Sequence, residues 1–227
     1  MSTDYAADMA AAWLKDRATD QLRLKRSSFA IDYEVGDKPA LVLQLMPVGV
    51  RVSVDLRAEL VGKALRREGL HPQVAWWREF ASSEGIRPVF NGIAANGKNS
   101  SNGWTTELHT DGHLISGLWK FPDDGEQGVA VRGFFQKVFA DFASLASGVY
   151  EAAAIAGQMS ATCTLLNATK LPLRSRNGWG DSAPAPSREV LEWPVEDIAA
   201  VDGIAAAFEV MRARFARAYG LFEFEED

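Results

Sequence analysis

Trp104-Thr105-Thr106-Glu107-Leu108-His109-Thr110-Asp111-Gly112-His113-Leu114-Ile115-Ser116-Gly117-Leu118-Trp119-Lys120-Phe121 is the stretch that decides the fold class. Two runs rich in aromatic, aliphatic and threonine residues flank Thr110-Asp111-Gly112, which has turn chemistry. The stretch therefore reads as a β-hairpin with arms Trp104–His109 and His113–Phe121. Just upstream, a strand over Pro88–Ala94 enters the polar loop Asn96–Gly103 and joins the hairpin as a third strand. Connections without room for a crossover helix make such strands antiparallel.

Working outward, helical periodicity takes over on both sides. From Phe134 to Ala156, Phe135, Val138, Phe142, Leu145 and Val149 form one apolar stripe, and Gly157 stops the helix. Met159–Leu166 then has the threonine-rich apolar character of a buried strand, and Glu189–Trp193 reads as another. A last helix over Asp202–Tyr219 buries Ile204, Phe208, Met211 and Phe215. At the other end, Tyr5, Met9 and Trp13 recur at i, i+4, i+8 in a helix that ends near Leu24–Lys25. Phe29, Ile31, Tyr33 and Val35 alternate with Ala30, Asp32 and Glu34, which predicts a half-buried strand. Gly36-Asp37-Lys38-Pro39 turns it into a second strand, Leu41–Val48, as a hairpin. Ser53 or Asp55 would cap a helix burying Leu56, Leu60 and Leu65.

The predicted order is α-ββ-α-βββ-α-β(β)-α, an α+β fold with a largely antiparallel sheet of hairpin-connected strands and packed helices. No compositional break divides the chain, so residues 1–227 read as a single domain. Within it, 1–25 form the N-terminal helix, 174–187 a mobile Gly/Ser/Pro-rich loop, and 223–227 an acidic tail.

Composition removes several function classes. With 24 Lys and Arg against 30 Asp and Glu, the net charge is −6, a poor basis for sequence-independent binding to phosphate backbones. A single cysteine, Cys163, excludes an internal disulfide and every multi-cysteine zinc motif, and its apolar strand context implies an inert thiol. No apolar run approaches the roughly 20 residues that span a bilayer. Acidic residues at the start, where a signal peptide carries basic ones, predict a cytoplasmic protein without membrane contact. Neither a Gly-x-Ser-x-Gly elbow nor a Gly-rich phosphate loop occurs, and no cofactor is implied.

Three constellations carry potential chemistry. Glu107, His109, Asp111 and His113 are legitimate first-row metal ligands within seven residues. Against this stands the hairpin-tip reading, in which Asp111-Gly112 turns the chain and the histidines are solvated and dispensable for folding. Arg23, Lys25 and Arg26, then Lys63, Arg66 and Arg67, then Arg212, Arg214 and Arg217 form basic clusters, and Arg174, Arg176 and Arg188 punctuate the long loop. If two clusters met on one face they would make a phosphate-binding patch. Equally, each is what a solvated helix end looks like. Paired Trp76-Trp77 and Trp179 are candidate partner-binding residues, with the loops Asn96–Gly103 and Arg174–Arg188 beside them.

Phe90-Asn91-Gly92-Ile93, followed by Trp104-Thr105-Thr106-Glu107-Leu108-His109-Thr110-Asp111-Gly112-His113-Leu114-Ile115, resembles a phrase in bacterial DNA-binding proteins of the Schlafen AlbA type. The phrase lies in their region downstream of the AlbA domain. Leu41-Val42-Leu43-Gln44-Leu45-Met46-Pro47 and the helix and strand over Phe134–Leu166 suit the same family, so the likeness extends over roughly residues 10 to 220. The AlbA domain, which would carry the nucleic-acid contacts, has no counterpart here, and no catalytic residue transfers. The resemblance implies a freestanding accessory half that works with a protein partner.

Together these readings lead to a non-catalytic interaction or adaptor module, a subunit or regulator of a nucleic-acid-associated complex. Two alternatives stand beside it: a metal-dependent hydrolase or nuclease built on the Glu107/His109/Asp111/His113 hairpin, and a small-molecule-sensing domain.

Overall fold

The computed structural model describes residues 3–49, 51–68, 80, 85–96, 103–121, 130–174 and 182–221. Four helices and ten strands follow one another: α1 (Thr3–Asp32), β1 (Ala40–Pro47), α2 (Glu59–Leu65), β2 (Arg87–Val89), β3 (Gly92–Asn96), β4 (Trp104–His109), β5 (Leu114–Leu118), β6 (Ala130–Val131), α3 (Arg132–Ala152), β7 (Met159–Leu166), β8 (Leu173–Arg174), β9 (Val190–Glu192), β10 (Glu196–Ile198) and α4 (Ile204–Ala218). Eight strands make one sheet in the order β10-β7-β1-β5-β4-β3-β2, with β9 beside β10 on the same edge of β7. Every pairing within it is antiparallel, and β6 and β8 form a separate parallel pair. The α+β class is therefore the observed one.

Strand alternation sends Leu41, Leu43 and Leu45 of β1, Trp104 and Leu108 of β4, Leu114 and Leu118 of β5, and Cys163 and Leu165 of β7 to one face. There α3 and α4 cover them. The phenylalanines of the α3 stripe are fully buried, and Phe215 of α4 stacks on Phe135 at 4.8 Å and on Trp193 at 5.6 Å. This aromatic layer joins both helices to the strand edge within the apolar core that drives folding.

The first hairpin expected from the sequence is absent, because Phe29–Asp32 continues α1. Phe29 and Tyr33, four apart, both turn toward the sheet, whereas Ile31 is 76% exposed, the opposite of what strand alternation requires. The helix ends in a Schellman turn: the Val35 amide donates to Ala30 O, the Glu34 amide to Ile31 O, and Glu34 takes a left-handed φ of 48°. Strand β1 instead sits in mid-sheet between β5 and β7. Helix α2 is also shorter than expected and buries Val61 and Leu65 while Leu60 is 67% exposed. The strand expected over Pro88–Ala94 is in fact two, β2 and β3, folded about Phe90-Asn91 with Asn91 at φ 56°. Strand β10 was not foreseen. In the loop expected over 174–187, Leu173 and Ala183 exchange both backbone hydrogen bonds at 2.8 and 2.9 Å, while residues 175–181 lie outside the described residues, as do 223–227.

Gly92 shows how tightly β3 is held against β4. A Cβ there would lie 2.7 Å from the Leu108 carbonyl oxygen and 3.2 Å from Val89 Cγ2. Gly92→Ala is expected to cost about 2 kcal/mol, since relief requires backbone to move. A urea melt checks it, and an unchanged midpoint would show that the strands have room to part.

Candidate functional site

Helix α1 covers the opposite face of the sheet, and that face is largely polar. Gln44 of β1, Thr105, Glu107 and His109 of β4, and Ser160, Thr162 and Thr164 of β7 alternate onto it, all buried. Apolar docking comes from a satellite cluster of Phe29, Val42 and Ile115, with Tyr33, Trp119 and Leu166 packed around it, and from the buried Ala18 and Leu22 further up the helix. Hydrogen bonds and ion pairs add to it.

At its C-terminal end, Arg87 Nη2 donates to Tyr33 Oη at 2.7 Å, and Tyr33 donates to Glu107 Oε1 at 2.6 Å. Glu107 Oε2 lies 3.0 Å from His109 Nε2. Burial alone would raise the Glu107 pKa, but the bonds from His109 and Tyr33 outweigh it and hold the carboxyl below its ordinary value. Burial, and then the Glu107 carboxylate, push the Tyr33 phenol up. The His113 ring follows, its centroid 5.6 Å from that of His109. The Gln44 amide nitrogen donates to Leu22 O at 2.9 Å and lies 3.2 Å from His113 Nε2. A Gln44 N–H can bond that nitrogen only if it carries no proton, an arrangement that fits a neutral ring. Complete burial, reinforced by the charges of His109 and Lys25, pushes the His113 pKa down to about 3.

Thr110 and Asp111 at the hairpin tip are exposed as expected, but the two histidines are not. His113 is 1% exposed and His109 9%, because the chain after β1 roofs the turn: the Val54 amide donates to Thr110 O, and Gly112 packs against Pro47. Nor does the metal set read from the sequence assemble. Asp111 points outward, accepting from the His113 amide at 3.1 Å and pairing with Lys25 at 3.2 Å. Among the described residues no group of three or more His, Cys, Asp or Glu is placed to hold a metal ion. Cys163 is buried, which pushes its thiol well up and leaves it inert.

Of the basic residues read as nucleic-acid contacts, Arg23, Lys25, Arg26, Lys63, Arg66 and Arg67 are paired within the chain. Arg23 Nε and Arg26 Nη1 grip the two oxygens of Glu192 at 2.7 and 2.8 Å, and Arg26 also donates to Thr164 Oγ1 at 2.9 Å. Burial would raise the Glu192 pKa, but those two arginines reverse the effect and hold it low. Lys15 joins Asp197 at 2.9 Å. Lys63 bonds Glu59 and Arg66 bonds Glu68, each at 2.6 Å. Arg67 is not on a solvated face at all: it is 6% exposed and reaches the buried carboxylate of Asp141 at 3.4 Å. Arg212 and Arg214 pair with Glu209 and Glu196. Arg174 is half-buried at the end of β8, beside Val131 in the register. Arg176, Trp76, Trp77 and Trp179 lie outside the described residues.

Among the charged and polar residues that α1 presents to solvent, Lys15, Asp16, Arg17, Asp20 and Arg23 included, stand four large apolar ones. Met9, Trp13, Leu24 and Ile31 are 56%, 58%, 69% and 76% exposed. At 100° per residue the four fall within an arc of about 60°, and they span about 33 Å of helix. Between Trp13 and Leu24 lies a shallow depression of about 400 Å³ walled by Asp16, Arg17, Asp20 and Gln21. The sequence reading found the inner contacts of Met9 and Trp13 where the structure has an outer row. It also missed Gln44, Tyr33 and Arg87. Gln44 carried a legible signal, a lone amide inside the apolar run Leu41–Met46.

No described helix is long and apolar enough to cross a membrane. No protein-family model matches the chain, and neither a curated protein nor a solved structure matches it significantly.

Proposed function

We propose that this chain is a non-catalytic interaction module that binds a protein partner along the outward face of α1, as a subunit or regulator of a nucleic-acid-associated complex. The observation that carries the reading is the row Met9, Trp13, Leu24 and Ile31 on a helix whose inner face is already committed to the sheet. Tryptophan and methionine beside a small depression are the composition of an interface anchor. Because Arg23, Lys25, Arg26, Lys63, Arg66 and Arg67 are all paired internally, the partner rather than this chain holds the nucleic acid.

Two measurements test this. Labelled single- and double-stranded DNA and RNA are expected to show no anisotropy change with about 10 μM protein at about 50 mM salt. Binding that weakens steeply with added salt would transfer the nucleic-acid role to this chain. Trp13→Asp and Leu24→Asp, at exposed positions, are expected to change stability by less than about 0.5 kcal/mol. They should nevertheless abolish photo-crosslinking to protein from a benzophenone placed at position 20. Undiminished crosslinking in both variants would sink the assignment of this face.

A further inference from the structure

Beside the tip of the β4–β5 hairpin, a cleft of about 680 Å³ opens between α1 and the chain that leaves β1. Its polar lining comes from three places: Arg17 and Gln21 on α1, Arg51 and Ser53 after β1, and Thr110 at the hairpin turn. Leu14, Ala18 and Met46 give it an apolar side. We infer that this cleft binds a small molecule carrying a phosphate or diphosphate group, with Arg17 and Arg51 as the two cationic clamps.

The argument turns on which charges are already committed. Lys15, Arg23, Lys25 and Arg26, the other cations along this part of α1, each meet a carboxylate of the sheet or hairpin. Among the described residues, no carboxylate pairs with Arg17 or Arg51; Arg17 lies over the Trp13 ring, 5.4 Å from its centroid. The one acid on the cleft wall, Asp111, is neutralised by Lys25 and caps the His113 amide. Burial would raise its pKa, but those two contacts hold it low, so it stays ionised and its charge is spent. Arg17 and Arg51 thus line the cleft without a carboxylate partner among the described residues, in a protein of net charge −6.

Arg17 on α1 and Arg51 after β1 together match a dianionic group in charge, and each guanidinium can bond two of its oxygens at once when Arg17 swings off the Trp13 ring. Gln21, Ser53 and Thr110 add neutral hydrogen-bonding groups around them. The volume lies within the range of about 300–1,000 Å³ typical of small-molecule sites, well beyond what an inorganic ion fills. The apolar wall accounts for the remainder: it suits a ligand with a ring or short hydrocarbon body attached to the phosphate.

Titration calorimetry and thermal melts of the full chain with pyrophosphate, AMP and citrate test the inference. Pyrophosphate and AMP are expected to bind and raise the melting temperature, AMP more tightly because it also uses the apolar wall. Arg17→Gln and Arg51→Gln should each weaken both ligands about 10-fold or more, the worth of a charge-assisted hydrogen bond, while leaving the unliganded melt unchanged. Citrate binding as tightly as pyrophosphate would overturn the phosphate class. No heat from either phosphate at about 10 mM, or binding indifferent to both substitutions, would overturn the site. The outcome is separable from the partner reading: Leu24→Asp should keep AMP binding and lose the partner, and Arg51→Gln the reverse.

Discussion

Phe29→Ala is expected to lower the stability of the protein by about 3–5 kcal/mol and to free the C-terminal half of α1 from the sheet. Phe29 is 2% exposed and is the centre of the small apolar cluster under that helix. Its ring lies 4.6 Å from that of Tyr33 and fits over Gly117, where the sheet has no side chain. Elsewhere α1 buries Ala18 and Leu22, and its ion pairs there, such as Lys15–Asp197 and Arg23–Glu192, are largely solvent-exposed and contribute at most about 1 kcal/mol each. Amide exchange should accelerate over Arg23–Asp32, and Trp119 emission should shift to the red.

A double-mutant cycle isolates the contact. A Cβ on Gly117 would lie 2.3 Å from Phe29 Cε1, so Gly117→Ala alone is expected to be destabilising by about 1–3 kcal/mol. In the Phe29→Ala background the same methyl group enters vacated space, and its cost should vanish or change sign. Additive effects would mean that Phe29 does not rest on Gly117 in solution.

Acid is expected to weaken the fold well above the pH at which carboxylates protonate, and His113 is the cause. The folded chain refuses a proton at His113 down to about pH 3, whereas the unfolded chain takes one near 6.5. Unfolding therefore binds a proton throughout that window. The stability contribution is complete above about pH 6.5 and declines as pH falls toward 3, at about 1.4 kcal/mol per unit, or about 3 kcal/mol by pH 4. Glu107, Asp111 and Glu192, whose pKa values the fold lowers, act in the same direction at still lower pH. Urea melts of wild type and His113→Gln between pH 7.5 and 4.5 separate the two. The glutamine keeps an acceptor for the Gln44 amide but does not titrate, so the difference in stability between the proteins should shrink as pH falls to 4.5. Parallel profiles would show that the imidazole is already hydrated in the folded state.

Some of this was legible from residue order. The turn at Thr110-Asp111-Gly112, the stripe of α3 and the buried positions of α4 follow from local chemistry and from periods that a chain carries in its own sequence. Strand β7 was equally clear, since an apolar, threonine-rich run of that length has few other homes. Phe29-Ala30-Ile31-Asp32-Tyr33 was misread because five residues can satisfy a period of 2 and a spacing of four at once. What separates the readings is which of Ile31 and Tyr33 meets the sheet, a question about a surface assembled from β1, β4, β5 and β7.

The same division holds at the site. Composition and local pattern determined that this is an acidic α+β chain built around a central hairpin, and they singled out the basic clusters and the histidine pair as the groups to follow. Only the tertiary structure decided what those groups do. Arg23 and Arg26 meet a carboxylate 169 and 166 residues away in sequence, and His113 meets an amide 69 residues away. Whether a charge is free or already satisfied depends on partners brought together by folding, and no spacing within a helix encodes that. For the same reason Arg17 and Arg51, unremarkable in sequence, are arginines that the fold leaves lining a common cleft without a carboxylate partner among the described residues.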